Sequence, residues 1–151
     1  DEEATCSSGT IASSWKLNDD RTNTSTHTLK ALVRVDEHPT STQPKVILGQ
    51  IHGWKISQAL VKLLWEGSDK PVRVILNDNY ALNNESCSSC SNFSIDLGTY
   101  KKGVEWGYTI RADNDGIYLA TYDANGSNVV SKTLPWGGKL SNNWTNPDIA
   151  F

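Results

Sequence analysis

The segment KISQALVKLLWEG, residues 55–67, admits two readings that lead to different folds. Ile56, Ala59, Leu60, Leu63 and Leu64 recur at i, i+3, i+4, i+7 and i+8, the apolar stripe of an amphipathic helix. Leu60 to Glu66 fits a strand equally well, and the pattern alone does not choose between them. The surrounding sequence is less ambiguous. Lys30 to Val35 alternates Ala31, Val33 and Val35 against Lys30, Leu32 and Arg34. Val104 to Arg111 alternates Val104, Trp106, Tyr108 and Ile110 against Glu105, Gly107, Thr109 and Arg111. Period-two alternation of this kind predicts strands with one face buried.

Asn114-Asp115-Gly116 and Asn125-Gly126 supply turn residues suited to tight hairpins, and polar loops separate apolar runs at short intervals throughout. The expected fold is therefore all-β, two antiparallel sheets stacked as a sandwich or jelly roll. With 151 residues and no internal repeat, low-complexity tract or linker, residues 1–151 read as a single domain.

A net charge of −3 and a pI near 5.5 argue against a nucleic-acid partner, which needs a basic stripe to neutralise phosphates. No apolar run approaches the ~20 residues that cross a bilayer, so no membrane partner is expected. The N-terminus DEEATCSSGT has neither a basic region nor an apolar core of a signal peptide, and the chain reads as a secreted protein from which any such peptide is already gone. Three cysteines are an odd number. Zinc would need a second ligand pair that Cys6 and three scattered histidines do not supply. A redox motif would open a helix, whereas Cys87-Ser88-Ser89-Cys90 lies among serines and asparagines. A local disulfide between Cys87 and Cys90 is favoured over free thiols, with a bridge from one of them or from Cys6 to a cysteine outside these residues as a further alternative. Sequons at Asn23, Asn84, Asn92, Asn125 and Asn143 suit a secreted glycoprotein.

The run VILGQIHG, residues 46–53, sets a glutamine and a histidine two apart in an apolar, β-branched stretch. Strand parity predicts that Gln50 and His52 project together with Val46 and Leu48, while Ile47, Gly49 and Ile51 face the other way. An amide that donates to a carboxylate, beside an imidazole that exchanges a proton near neutral pH, suits chemistry on an acidic substrate. A satisfied polar pair at a strand end is the plainer alternative.

The same run closely resembles the central Q-[IV]-H motif of polysaccharide lyase family 7, the alginate lyases. Thr26-His27-Thr28-Leu29-Lys30-Ala31 leading into Val33-Arg34-Val35 resembles the family's preceding strand, and Val61-Lys62-Leu63-Leu64-Trp65-Glu66-Gly67 its following one. The resemblance implies a β-jelly roll whose concave sheet holds a cleft for an anionic polysaccharide, alginate, and it reads Leu60 to Glu66 as a strand. It also implies β-elimination across a uronate without a metal or other cofactor. Gln50 would donate to the substrate carboxylate, and His52 would help neutralise it or act as base for guluronate. Ile51 between them is associated with acceptance of guluronate-containing blocks, and Lys62 would contact substrate carboxylates unless it is a solvated edge lysine.

The family's R-[ST]-E-[LV]-R and Y-x-K-x-G-x-Y-x-Q strands are not found. The expectation is that the 151 residues are incomplete at both ends, with a second chain or segment supplying the missing arginine and tyrosine. Arg21 and Arg34 do not stand in for that arginine, nor do Tyr80, Tyr100, Tyr108, Tyr118 or Tyr122 for the tyrosine. Of the six tryptophans, Trp65 should share a face with Val61 and Leu63, and Trp106 with Val104, Tyr108 and Ile110. Trp54, in a predicted loop after the motif, is the candidate for stacking on sugar. Lys62 is expected to face the side of Leu60, Leu64 and Glu66. His27 and His38 read as surface residues. Asp19-Asp20 and Asp36-Glu37 do not form a glycosidase pair, because adjacent strand residues diverge. Asp113-Asn114-Asp115-Gly116 reads as a turn and is too short for a calcium loop. Two other functions fit the same face: a non-catalytic carbohydrate-binding jelly roll, and a lyase acting on another polyuronate such as glucuronan.

Overall fold

A computed structural model describes residues 15–17, 25–39 and 44–151. Cys6, Asp19, Asp20, Arg21 and Asn23 lie outside the described residues. The rest is almost entirely β: β1 (His27–Val33), β2 (Val46–Ile51), β3 (Val61–Trp65), β4 (Pro71–Asn77), β5 (Asn92–Thr99), β6 (Trp106–Asp113), β7 (Gly116–Asp123) and β8 (Val130–Pro135). One 3₁₀ turn, Asn142–Thr145, follows them.

The strands form two four-stranded antiparallel sheets, ordered β1-β6-β7-β8 and β2-β3-β4-β5. The second is a meander of sequential hairpins. In the first, β1 pairs with β6 across the whole meander, with Val33 opposite Trp106. The expected all-β sandwich is therefore present, and the ambiguous segment resolves as strand β3. Its helix-like spacing has a physical cause. β3 is flanked by β2 and β4. Val61, Leu63 and Trp65 point into the core, and Leu64 is buried as well, opposite exposed Ile47. Because Leu64 is buried on the outer face while Lys62 there is partly exposed, the segment loses a clean period-two signature.

β4 shows the alternation in its plainest form, with Val72, Val74 and Leu76 fully buried between partly exposed neighbours. They meet Trp106, Ile110, Ile117 and Leu119 of the facing sheet in one core cluster. Burying each such aliphatic side chain contributes about 1.5–3 kcal/mol relative to exposure. Aromatic residues tie the layers together. The Trp65 indole donates to the Tyr100 carbonyl at 2.8 Å, and the Tyr100 ring stacks on Trp106 with centroids 4.5 Å apart. Val104, expected beside Trp106, instead precedes β6 and is exposed. Thr121 is fully buried, and its hydroxyl accepts from the Gly98 amide at 2.9 Å, linking β7 to β5 without an unsatisfied group.

The Asn114-Asp115 turn connects β6 to β7, with the Asp113 carboxylate accepting from the amides of Asp115 and Gly116. Such an Asx arrangement is the reason aspartate precedes tight turns. Cys87 and Cys90 are joined by a disulfide in the loop between β4 and β5. Its base is closed by hydrogen bonds between Asp78 and Ser91.

His27 and His38, expected at the surface, are each partly covered by an aromatic ring. His27 is half-buried, stacks on Trp15 at 4.2 Å and donates through Nε2 to the Lys16 carbonyl. His38 is also half-buried, 5.4 Å from the Trp65 ring. Both partners are contributed by segments the local pattern around the histidines does not reveal.

Candidate active site

The outer face of the β2-β3-β4-β5 sheet carries two of the residues singled out from the sequence, Gln50 and Lys62. Gln50 pairs with Lys62, Lys62 with Ile75, and Ile75 with Ser94, forming one row across four strands. Directly paired residues of an antiparallel ladder have Cβ atoms about 4.5–5.5 Å apart on the same face, so the Gln50 amide and Lys62 ammonium project from adjacent positions. Among the described residues, no carboxylate pairs with Lys62.

The neighbouring row is Ile47, Leu64, Arg73 and Asp96. Arg73 donates to Glu66 at 2.6 Å, and Lys45 lies 3.9 Å from the same carboxylate oxygen. Glu66 is largely shielded, with 11% of its side chain exposed. The ion pair compensates much of the charge of Arg73, so Lys62 is the cation best placed to meet an anion beside Gln50. Sequence reading did not single out Arg73. Its alternation with Val72 and Val74 in β4 was the available signal.

The parity expectation for β2 holds at one end and fails at the other. Gly49 and Ile51 are buried, whereas Gln50 and His52 point away from the core. Ile47, however, is 52% exposed, and Val46 and Leu48 pack against the core. The cause is a β-bulge. Ile47 pairs with Leu64 and Gly49 with Leu63, so Leu48 is an extra residue that flips everything before it to the other face. Gly49 makes the bulge possible, because a Cβ there would lie 2.9 Å from the Tyr108 hydroxyl and 3.1 Å from Ile110 Cδ1. Tyr108 in turn donates to the Leu48 carbonyl at 2.6 Å, satisfying a group the bulge frees from the ladder. A glycine within a strand was the sequence signal for this feature. Leu60, expected on the Lys62 face, is likewise corrected: it precedes β3 and is fully buried in the core.

His52 leaves the end of β2 exposed. Its Nδ1 lies 3.1 Å from the Gly53 carbonyl. A carbonyl only accepts, so Nδ1 carries the hydrogen, and the neutral ring then keeps its lone pair on Nε2. Trp54 follows in a turn and is 46% exposed, and its amide donates to the Ala150 carbonyl at 2.7 Å. The segment beyond it is tied to the disulfide loop: Asn84 donates to the Lys55 carbonyl, and the Gln58 side chain bonds the backbone of Ala81 and Glu85. The motif's exit and the β4–β5 loop thus form one connected wall.

The five tyrosines lie elsewhere. Tyr100 and Tyr108 are core residues, Tyr118 and Tyr122 belong to β7 in the other sheet, and the Tyr80 hydroxyl donates to the Asn143 carbonyl. What the outer face offers is an amide donor, an ammonium group and an imidazole with an available base, the set needed to neutralise a carboxylate and take a nearby proton. A family model described as alginate lyase matches residues 6–151. No curated protein and no solved structure matches the chain.

Proposed function

The chain belongs to the alginate lyase family, and from that premise we propose that it cleaves alginate by β-elimination on the outer face of the β2-β3-β4-β5 sheet. The observation that carries the reading is the pairing of Gln50 with Lys62, with His52 two residues further along the same strand direction. The C5 hydrogen of a uronate is weakly acidic because its carbanion shares charge with a carboxylate. Gln50 and Lys62 donate to that carboxylate and stabilise the developing charge. His52 Nε2 removes the C5 proton, the C4–O4 bond breaks as the C4–C5 double bond forms, and O4 takes a proton as it departs.

That last proton is assigned to a tyrosine supplied by another segment or chain, since the five present are engaged elsewhere. Exposed Trp54 provides an aromatic face for a sugar at the end of the row. The Ile51 motif favours guluronate-containing blocks as the substrate. The disulfide and the exposed sequons at Asn84, Asn92, Asn125 and Asn143 support a secreted glycoprotein. The placement of the tyrosines also favours one alternative, a carbohydrate-binding module that uses the same face without proton transfer.

The test follows the ultraviolet absorbance of the unsaturated uronate end on alginate, with glucuronan in parallel. Growth of that signal on alginate, and its loss in His52→Ala, is expected. Binding of alginate with no signal under any condition overturns the lyase reading in favour of the module.

A further inference from the structure

The opposite side of the sandwich carries a pocket that elimination does not use. On β7, Tyr118, Ala120 and Tyr122 alternate with core-facing Ile117, Leu119 and Thr121, so all three lie on the outer face of the β1-β6-β7-β8 sheet. The small Ala120 forms a floor between two aromatic rings, and with Lys30, Thr109 and Val129 they line a pocket of about 250 Å³. Tyr122 lies down on the sheet because Gly107 beneath it has no side chain: a Cβ there would come within 2.1 Å of the ring. Its hydroxyl is held by the Tyr108 carbonyl at 3.1 Å and lies 3.3 Å from the Thr109 hydroxyl, so the ring is fixed in that pose.

Two cations accompany the rings. Lys30 Nζ lies 5.7 Å from the Tyr122 centroid, and the Arg111 guanidinium lies 4.8 Å from that of Tyr118. Arg111 is paired with Asp113 at 3.1 Å. Lys30 is exposed, no carboxylate pairs with it among the described residues, and none lines the pocket. Rigid aromatic faces, a hydroxyl and an uncompensated ammonium around a sugar-sized hollow match one kind of ligand. An apolar occupant would leave the ammonium without a counter-charge, and a bare anion would leave the rings unused.

We propose that this face is a second, non-catalytic site that binds a uronate unit of an anionic polysaccharide, its ring on the tyrosines and its carboxylate at Lys30. The identity of the polymer rests on the lyase reading; the existence of the site does not. Because it lies on the sheet opposite to Gln50 and Lys62, one molecule can hold a polymer strand on one face while the other face is occupied. Such a tether raises the local concentration of substrate at the face that carries Gln50 and Lys62.

The experiment measures equilibrium binding of polyguluronate, polymannuronate and an uncharged dextran to the 151-residue chain carrying Gln50→Ala and His52→Ala, then adds Lys30→Glu or Tyr118→Ala. A charge-assisted contact predicts that Lys30→Glu weakens residual polyuronate binding about ten- to a hundredfold, and Tyr118→Ala weakens it too. Unchanged urea midpoints show that the fold is intact, as expected for substitution of exposed Lys30. Polyuronate binding that survives both substitutions overturns the site, and so does equal binding of dextran. A chain that shows this Lys30-dependent binding yet never cleaves alginate removes the lyase reading and leaves the site standing.

Discussion

Replacing Gly49 by alanine tests whether the bulge in β2 depends on the close approach of the two sheets. The new methyl would meet the Tyr108 hydroxyl at 2.9 Å, Tyr108 Cε2 at 3.0 Å and Ile110 Cδ1 at 3.1 Å. Carbon atoms attract best at about 3.5–4.0 Å, so each contact is several tenths of an ångström too short. Overpacking of this kind costs about 1–3 kcal/mol. Restricting the unfolded chain returns about 0.4–1 kcal/mol. Taken at the middle of both ranges, the expected net loss is about 1 kcal/mol, read as a lower urea midpoint with an unchanged slope and a Tm lower by about 2–4 °C. The nearest atom in the clash is the hydroxyl that Tyr108 holds against the Leu48 carbonyl. Gly49→Ala should therefore cost at least about 0.5 kcal/mol less in a Tyr108→Phe background than in the parent. Relief that pushes β2 outward also displaces Gln50, one residue on, and turnover on alginate should fall up to about tenfold. A neutral or stabilising Gly49→Ala, or a cost identical in both backgrounds, refutes the account of the bulge.

His52→Ala should lower turnover on guluronate blocks by about 100- to 10,000-fold, with Gln50→Ala less severe; urea denaturation should move by only about 0.5 kcal/mol for His52→Ala, whose side chain is exposed. Unfolding of His52→Ala with turnover retained in the folded fraction would make His52 a structural residue. Burial raises the Tyr108, Tyr100 and Tyr80 phenols above their ordinary value, so their neutral forms favour the fold. That contribution is complete below about pH 10 and is lost as pH rises through the raised values; Tyr108→Phe should cost about 1 kcal/mol at neutral pH and flatten the alkaline limb of a pH titration of the urea midpoint. Cys87→Ser with Cys90→Ser should cost about 2 kcal/mol, the loop-closure value for so short a ring. Mass spectrometry of the unreduced parent should find these two thiols oxidised.

What the sequence made readable was what neighbours in the chain decide. Ala31, Val33 and Val35 alternate with exposed residues as expected, and Trp106, Tyr108 and Ile110 are buried on β6. Gln50 and His52 share the outward face because two residues of extended backbone return to the same side. The features that stayed hidden depend on partners distant in sequence. Nothing beside Leu48 reveals that Tyr108, sixty positions away, holds its carbonyl. His27 finds Trp15 and His38 finds Trp65 only after the sheets are assembled. Leu64 hid the strand in 55–67 because it is buried on the face where alternation calls for an exposed residue.

The pairing of β1 with β6 also bears on how the molecule is made. Hairpins such as β3–β4 close over residues 66–70, whereas β1 reaches β6 only by enclosing residues 34–105. Loop-closure entropy makes the longer ring costlier by about 2 kcal/mol in a disordered chain. That excess shrinks once the β2–β5 meander has formed and drawn its ends together. β1 is therefore expected to dock late, with the β6 edge unpaired until it does, an opening through which newly synthesised chains can pair with one another. In refolding kinetics, Val74→Ala in β4 should slow folding, while Ala31→Gly in β1 should chiefly speed unfolding. A slower refolding rate for Ala31→Gly than for Val74→Ala at matched destabilisation would reverse that order. β1, an edge strand of the first sheet, is thus also the strand whose late docking gives other chains the longest time to interfere.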